Sequence, residues 1–153
     1  MTSFTSRLIR LSLFISIASC SGFTFADVSE QAEALKRSIA EKGLEAVLLD
    51  LVSVWNAKLP IVDQGSYGDG ATWTAQKGVA WGDSIHWFIH SDSNEPNSEE
   101  FRRVKSEMHC VEYEGIYTKN GVRLRYHLFN SEEIPIGGIT LDNKACEEYI
   151  ASK

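Results

Sequence analysis

Several features are scarce or missing in this chain of 153 residues. No apolar run approaches the roughly 20 residues needed to span a membrane. Three prolines and eleven glycines are too few for a fibrous or low-complexity protein. Positive charge is in deficit, with 15 Lys+Arg against 21 Asp+Glu and a formal net charge of -6. That balance argues against nucleic acid or anionic lipid as the main partner. No Gly-x-Ser-x-Gly elbow occurs, and no Gly-Lys-Ser/Thr follows a glycine-rich loop. The common serine-hydrolase and phosphate-loop patterns are therefore absent. The 43% hydrophobic content is too high for a disordered chain.

What is present begins with an export signal over residues 1–26. Arg7 and Arg10 precede a short apolar run, Leu11 to Ala18, and no acidic residue appears before Asp27. Thr24 and Ala26 place small residues where a cut after Ala26 requires them, and this cut is favoured. A second cut is open: Ile17-Ala18-Ser19-Cys20 has the form of a bacterial lipobox, in which Cys20 is the lipidation site. Either cut removes two arginines and no acid, leaving 13 basic residues against 21 acidic ones, a net −8. Cys110 and Cys146 then remain, and two cysteines in an exported chain read as one disulfide.

Residues 27–153 read as a single α+β domain. Leu35, Ile39, Leu44, Val47, Leu48, Leu51, Val54 and Trp55 recur at helical spacing, with Gly43 dividing the segment into two N-terminal helices. Leu59-Pro60 ends it, and residues 63–70 form a glycine-rich loop. The period then changes to two. Strands are expected over Ala71 to Val79 and Ser84 to Ser91. Asn97 starts a helix carrying Phe101, Val104 and Met108. Asn120-Gly121 reads as a hairpin turn, with Gly115 to Thr118 pairing across it onto Val122 to Leu128. Ile134 to Leu141 is the return strand, and Asp142 caps a terminal helix. The expected sheet is antiparallel, built from two strand–strand–helix units.

The elements Leu59-Pro60…Val62-Asp63, Ile85-His86-Trp87, Phe101…Cys110, Gly121-Val122…Leu124-Arg125-Tyr126 and Ile139-Thr140-Leu141…Cys146 carry a resemblance. The chain resembles a set of small exported bacterial proteins with an LP-x-x-VD-like segment, two aromatic strand pairs and two late cysteines. Here the spacer inside the first motif is one residue shorter. The resemblance implies an exported single domain and adds no catalytic residue.

Specific chemistries find little support. His86 and His90 are four apart, a zinc spacing on a helix, but on a strand they stand about 13 Å apart. No metal and no cofactor is expected. Neither acidic loop has the ligand order of an EF-hand. Ser66, in the glycine-rich loop, has no histidine and aspartate tied to it. The contact surface is instead expected to be basic and aromatic: Tyr67, Trp73, His86, Phe88, His90, Arg123, Arg125 and His127, largely on the outer sheet face. The leading expectation is a periplasmic or secreted binding module without catalysis of its own. Its partner would be an envelope or secreted protein, as for an inhibitor or immunity protein. A lipoprotein acylated at Cys20, with a structural or assembly role, is the second. A hydrolase using the glycine-rich loop is the third. A membrane enters only if Cys20 is lipidated, and nucleic acid is not expected.

Overall fold

The structure is a computed structural model and describes residues 27–153. The export segment, including Cys20, lies outside the described residues. Helices α1 (Val28–Lys42) and α2 (Leu44–Asn56) come first. Gly43 separates them with φ 84°, a value that suits glycine and ends the first helix. A five-stranded sheet follows, made of β1 (Ile61–Gln64), β2 (Thr72–Trp81), β3 (Ser84–Ser91), β4 (Arg123–Phe129) and β5 (Pro135–Leu141). Helix α3 (Ser98–Ser106) continues as a π-helical turn, Glu107–Glu112, and α4 (Asn143–Ala151) closes the chain. No described helix is long and apolar enough to cross a membrane.

The sequence reads three capped helix starts, and two of them form; Asp27, expected to open a capping box with Glu30, does start the first helix but makes no side-chain cap bond. The Asn97 side chain accepts from the Glu100 amide at 3.0 Å, and Asp142 accepts from the Ala145 amide at 2.9 Å. Each satisfies an N–H that the first helical turn leaves unpaired.

The strands lie in sequence order, β1-β2-β3-β4-β5. Three pairings are antiparallel, but β3 and β4 run parallel, with Trp87 opposite Tyr126. This corrects the expected all-antiparallel sheet. The physical reason is the segment between them: α3, its π-helical turn and a short 3-10 helix, Thr118–Asn120, return the chain to the sheet's starting end, as a parallel crossover requires. The hairpin across Asn120-Gly121 is likewise corrected. Gly121, at φ 82°, closes the 3-10 helix, and Gly115 to Thr118 form no strand. An Asn-Gly pair serves either end, because both need a left-handed residue. β1 was not anticipated; at four residues it is too short to show alternation.

Alternation sends Ile85, Trp87 and Ile89 of β3 and Leu124, Tyr126 and Leu128 of β4 to one face, where all six are buried. Helix α2 packs there through Trp55, whose ring lies 5.3 Å from Trp87 and 5.9 Å from Tyr117. Asn56 secures the contact by exchanging two hydrogen bonds with the Gly78 backbone, at 2.8 and 2.9 Å. Gly78 admits no side chain: a Cβ would stand 2.9 Å from the Trp87 ring. Helix α3 packs through Phe101, 4.8 Å from both Tyr67 and Trp73. The Cys110–Cys146 disulfide, with Cα atoms 5.1 Å apart, ties the π-helical turn to α4.

Candidate functional site

The buried face of the sheet is not fully filled. A cleft of about 390 Å³ opens between β1, the inner face of β3 and β4, and the α3–π segment. Its walls are mainly aromatic and aliphatic: Trp55, Tyr67, Trp87, Met108, Tyr113, Tyr117 and Tyr126, with Ile61, Ile89, Val104 and Leu124. Polar groups are few and sit on particular elements. Asp63, Gln64 and Ser66 come from β1 and the loop after it, Lys105 from α3, and His109 from the π-helical turn. The Lys105 ammonium stands over the rings of Phe101 and Tyr67, at 5.4 and 5.8 Å, where a cation is attracted by the ring face.

The π-helical turn is what places His109. The Tyr113 amide reaches back to the Met108 carbonyl, five residues away, at 2.9 Å. This wider turn buries both His109 and Cys110. His109 Nε2 meets the Tyr126 hydroxyl at 2.6 Å. Burial, aided by the nearby Lys105 charge, pushes the imidazole down to about 3, so it is neutral at ordinary pH. Burial also holds the Tyr126 and Tyr117 phenols well above their usual range. The dyad is therefore an uncharged polar contact in an apolar wall, unsuited to proton transfer near neutrality.

No serine–histidine pair forms here. The Ser66 hydroxyl donates to the Asp63 carboxylate, and His109 is engaged with Tyr126. The loop carboxylates are used locally. Asp69 accepts from the Ala71 and Asn97 amides, and Asp92 accepts from the Thr72 amide. Among the described residues, no three His, Cys, Asp or Glu side chains gather to hold a metal.

The second region is the opposite face. His86, Phe88 and His90 of β3 and Arg123, Arg125 and His127 of β4 share it, as the sequence predicts. Phe129 joins them, and Trp81 stands at its end, 77% exposed. Neighbouring rings run in a series: Trp81 and His86 are tilted at 6.0 Å, while Phe88–His127 at 5.0 Å and His90–Phe129 at 4.7 Å are near-parallel. His86 Nδ1 and His127 Nε2 are 2.9 Å apart. Their rings are tilted by only 9° with centroids 5.2 Å apart, the separation of two imidazoles joined in plane by an N–H···N bond. Partial burial, then His127 and Arg125, hold His86 below its usual range. Arg123 pairs with Asp83 at 3.0 Å.

Two members of the expected contact surface belong elsewhere. Trp73 is 2% exposed and Tyr67 1%; both pack with Phe101 on the inner side. For Trp73 the register decides it, since it faces Ser91 and thus the side opposite His90. Tyr67 instead borders the cleft. The cleft itself was missed. Its available signal was the concentration of tyrosine, with Tyr113, Tyr117 and Tyr126 accounting for three of the five in the chain.

No protein-family model matches the sequence, and no curated protein matches it significantly. Solved structures do share its fold. The pilotin EpsS of the Vibrio vulnificus type 2 secretion system is 14% identical with a TM-score of 0.56, covering 74% of this chain and 96% of its own. The type II secretion pilotin AspS of Vibrio cholerae is 14% identical with a TM-score of 0.55, covering 71% of this chain and 99% of its own. A candidate secreted protein from Pseudomonas aeruginosa is 14% identical with a TM-score of 0.54, covering 67% and 92%. At this level of identity the likeness is one of fold: the described domain has the architecture of type II secretion pilotins.

Proposed function

We propose that this protein is an exported, lipid-anchored assembly factor of the cell envelope. It holds an apolar segment of a partner envelope protein in the cleft between the sheet and the α3–π segment. The observation that carries this reading is the aromatic cleft of about 390 Å³ on a fold shared with secretion pilotins. Aromatic walls with few polar groups suit an apolar ligand, and tyrosines allow close packing at a polar rim. The uncharged His109–Tyr126 dyad fits binding better than catalysis. The lipobox-like Ile17-Ala18-Ser19-Cys20 supplies the anchor in this reading.

Two measurements test it. Mass spectrometry of the mature protein is expected to find an acylated N-terminal Cys20; an N-terminus at Asp27 removes the lipid anchor. A photo-crosslinking residue at Met108 is expected to capture an envelope protein in living cells, and cleft-filling Val104→Trp is expected to abolish capture. Capture that is unaffected by Val104→Trp would overturn the cleft as the binding site.

A further inference from the structure

The outer sheet face differs from the cleft in charge as well as in shape. Its strand positions include Lys77, Arg123, Arg125 and three histidines, and none is Asp or Glu. Asp83, in the β2–β3 turn, is already paired with Arg123. This is unexpected in a chain whose residues beyond 26 carry a net −8. The face also lies over the parallel β3–β4 pair, and parallel strands are ordinarily covered on both sides. Helices α2 and α3 approach the opposite side, through Trp55 and Phe101. Here the outer residues are half-buried rings and an Arg125 whose Nε meets no acceptor.

We propose that the outer face of β3 and β4 is a second docking surface, taking an acidic segment of a partner protein. Charge complementarity selects this occupant. A carboxylate reaching Arg123 or Arg125 gains a charge-assisted, fork-shaped contact, while apolar side chains between the acids lie on Phe88, Phe129 and Trp81. Arg and Trp are the residue types that most often dominate such interfaces. A second copy of this chain, packed face to face, would oppose its own cations. The apolar cleft and this surface call for different ligands, so they can be occupied together.

Acidification sharpens the contact. The groups facing His86 are Val79 and Lys77 of β2, Phe88 of β3, and Arg123, Arg125 and His127 of β4, with Trp81 and the Arg123–Asp83 pair at its end. No unpaired carboxylate is among them, so protonating the His86–His127 pair adds positive charge that only an incoming anion offsets.

The test uses the mature chain and a deca-glutamate peptide as probe, with deca-lysine as control, followed by NMR of the imidazole signals. Saturable shifts at His86, His90 and His127 are expected with deca-glutamate alone. They should weaken with added salt and strengthen from about pH 7.5 to about pH 5.5. The exposed double reversal Lys77→Glu/Arg123→Glu should weaken binding at least about tenfold while the inner-face signals of Tyr113 and Tyr126 stay in place, which shows that the fold is kept. Equal binding by that variant, or shifts confined to the cleft, would overturn the proposal. So would concentration-dependent shifts without peptide, which mark self-association. A response to phosphatidylglycerol vesicles but not to the peptide would make this a lipid surface and end the proposal. Retained crosslinking at Met108 in the double reversal separates this result from the fate of the cleft reading.

Discussion

The two faces of this sheet are made by the same strands, yet they handle polar chemistry in opposite ways. On the inner face, His109 and Tyr126 are buried and uncharged, bonded to each other through Nε2, with His109 Nδ1 left without a partner. On the outer face, His86 and His127 also bond to each other, but they remain half-exposed beside Arg125. Both pairs are histidine contacts of under 3 Å. Burial, and not residue type, decides that one is a fixed structural element and the other can take up a proton while the protein stays folded.

The strongest way to break this contrast is acid. His109 has its folded midpoint pushed down to about 3, below the 6.5 of an unfolded chain. Between these values the unfolded chain binds the extra proton. Stability from this group is therefore complete above about pH 6.5 and is lost as pH falls toward 3. Fully expressed, the effect is on the order of 4–5 kcal/mol. Urea unfolding at a series of pH values should show it. In the His109→Phe/Tyr126→Phe variant both partners become apolar and no buried group is orphaned, so the stability curve should be flatter over the same range. An unchanged slope in that variant would mean that another group drives acid unfolding.

Truncating one phenylalanine on each face is the next test. Phe101 is 1% exposed and touches Tyr67, Trp73 and Tyr126. Phe101→Ala should cost about 3–5 kcal/mol through lost transfer energy and a residual cavity. Phe88 lies in the outer ring series and is half-buried, so Phe88→Ala should cost about 1 kcal/mol or less. Comparable losses for the two would mean that something seals the outer face.

These faces were unequally legible in the sequence. Period-two alternation in SIHWFIHS and RLRYHLF assigned the members of each face on β3 and β4 correctly, because a strand permits only two directions. On β2 the irregularity between Ala75 and Lys77, together with an unknown register, left Trp73 on the wrong side. The helices, the Asn97 and Asp142 caps and the Cys110–Cys146 pair were readable from local spacing and export chemistry. The cleft was not. It depends on the π-helical turn, the parallel crossover and the short strand β1, which are set by packing between distant segments. The Asn120-Gly121 pair misled for a related reason: it fixes a left-handed residue but not the element that precedes it.

Reducing the disulfide sharpens the comparison at a smaller cost. Cys110 and Cys146 are 36 residues apart, and opening such a loop costs about 3–4 kcal/mol in the chain-entropy account. The bond anchors the π-helical turn, which carries the Met108 and His109 walls of the cleft. In Cys110→Ser/Cys146→Ser, observed below its unfolding midpoint, Met108 and Tyr113 signals should broaden or shift. The imidazoles of His86, His90 and His127 should keep their wild-type positions, since no helix of the α3–π segment supports them. Equal disturbance on both faces would show that the sheet transmits the change.

The smallest effect belongs to the outer histidine pair. His86 is held below the ordinary 6.5 by desolvation first, then by His127 and Arg125. Its stabilising contribution is thus complete above about pH 6.5 and partly lost below, but exposure to solvent keeps it under about 1 kcal/mol. NMR titration should place the His86 midpoint below that of an unfolded peptide. Arg125→Gln removes one nearby cation and should move the midpoint upward. The midpoint should nevertheless stay below the peptide value, because desolvation by the neighbouring rings remains. Full recovery in Arg125→Gln would make charge, and not partial burial among rings, the controlling influence, and the outer histidines would then differ from the inner one in kind and not merely in degree of burial.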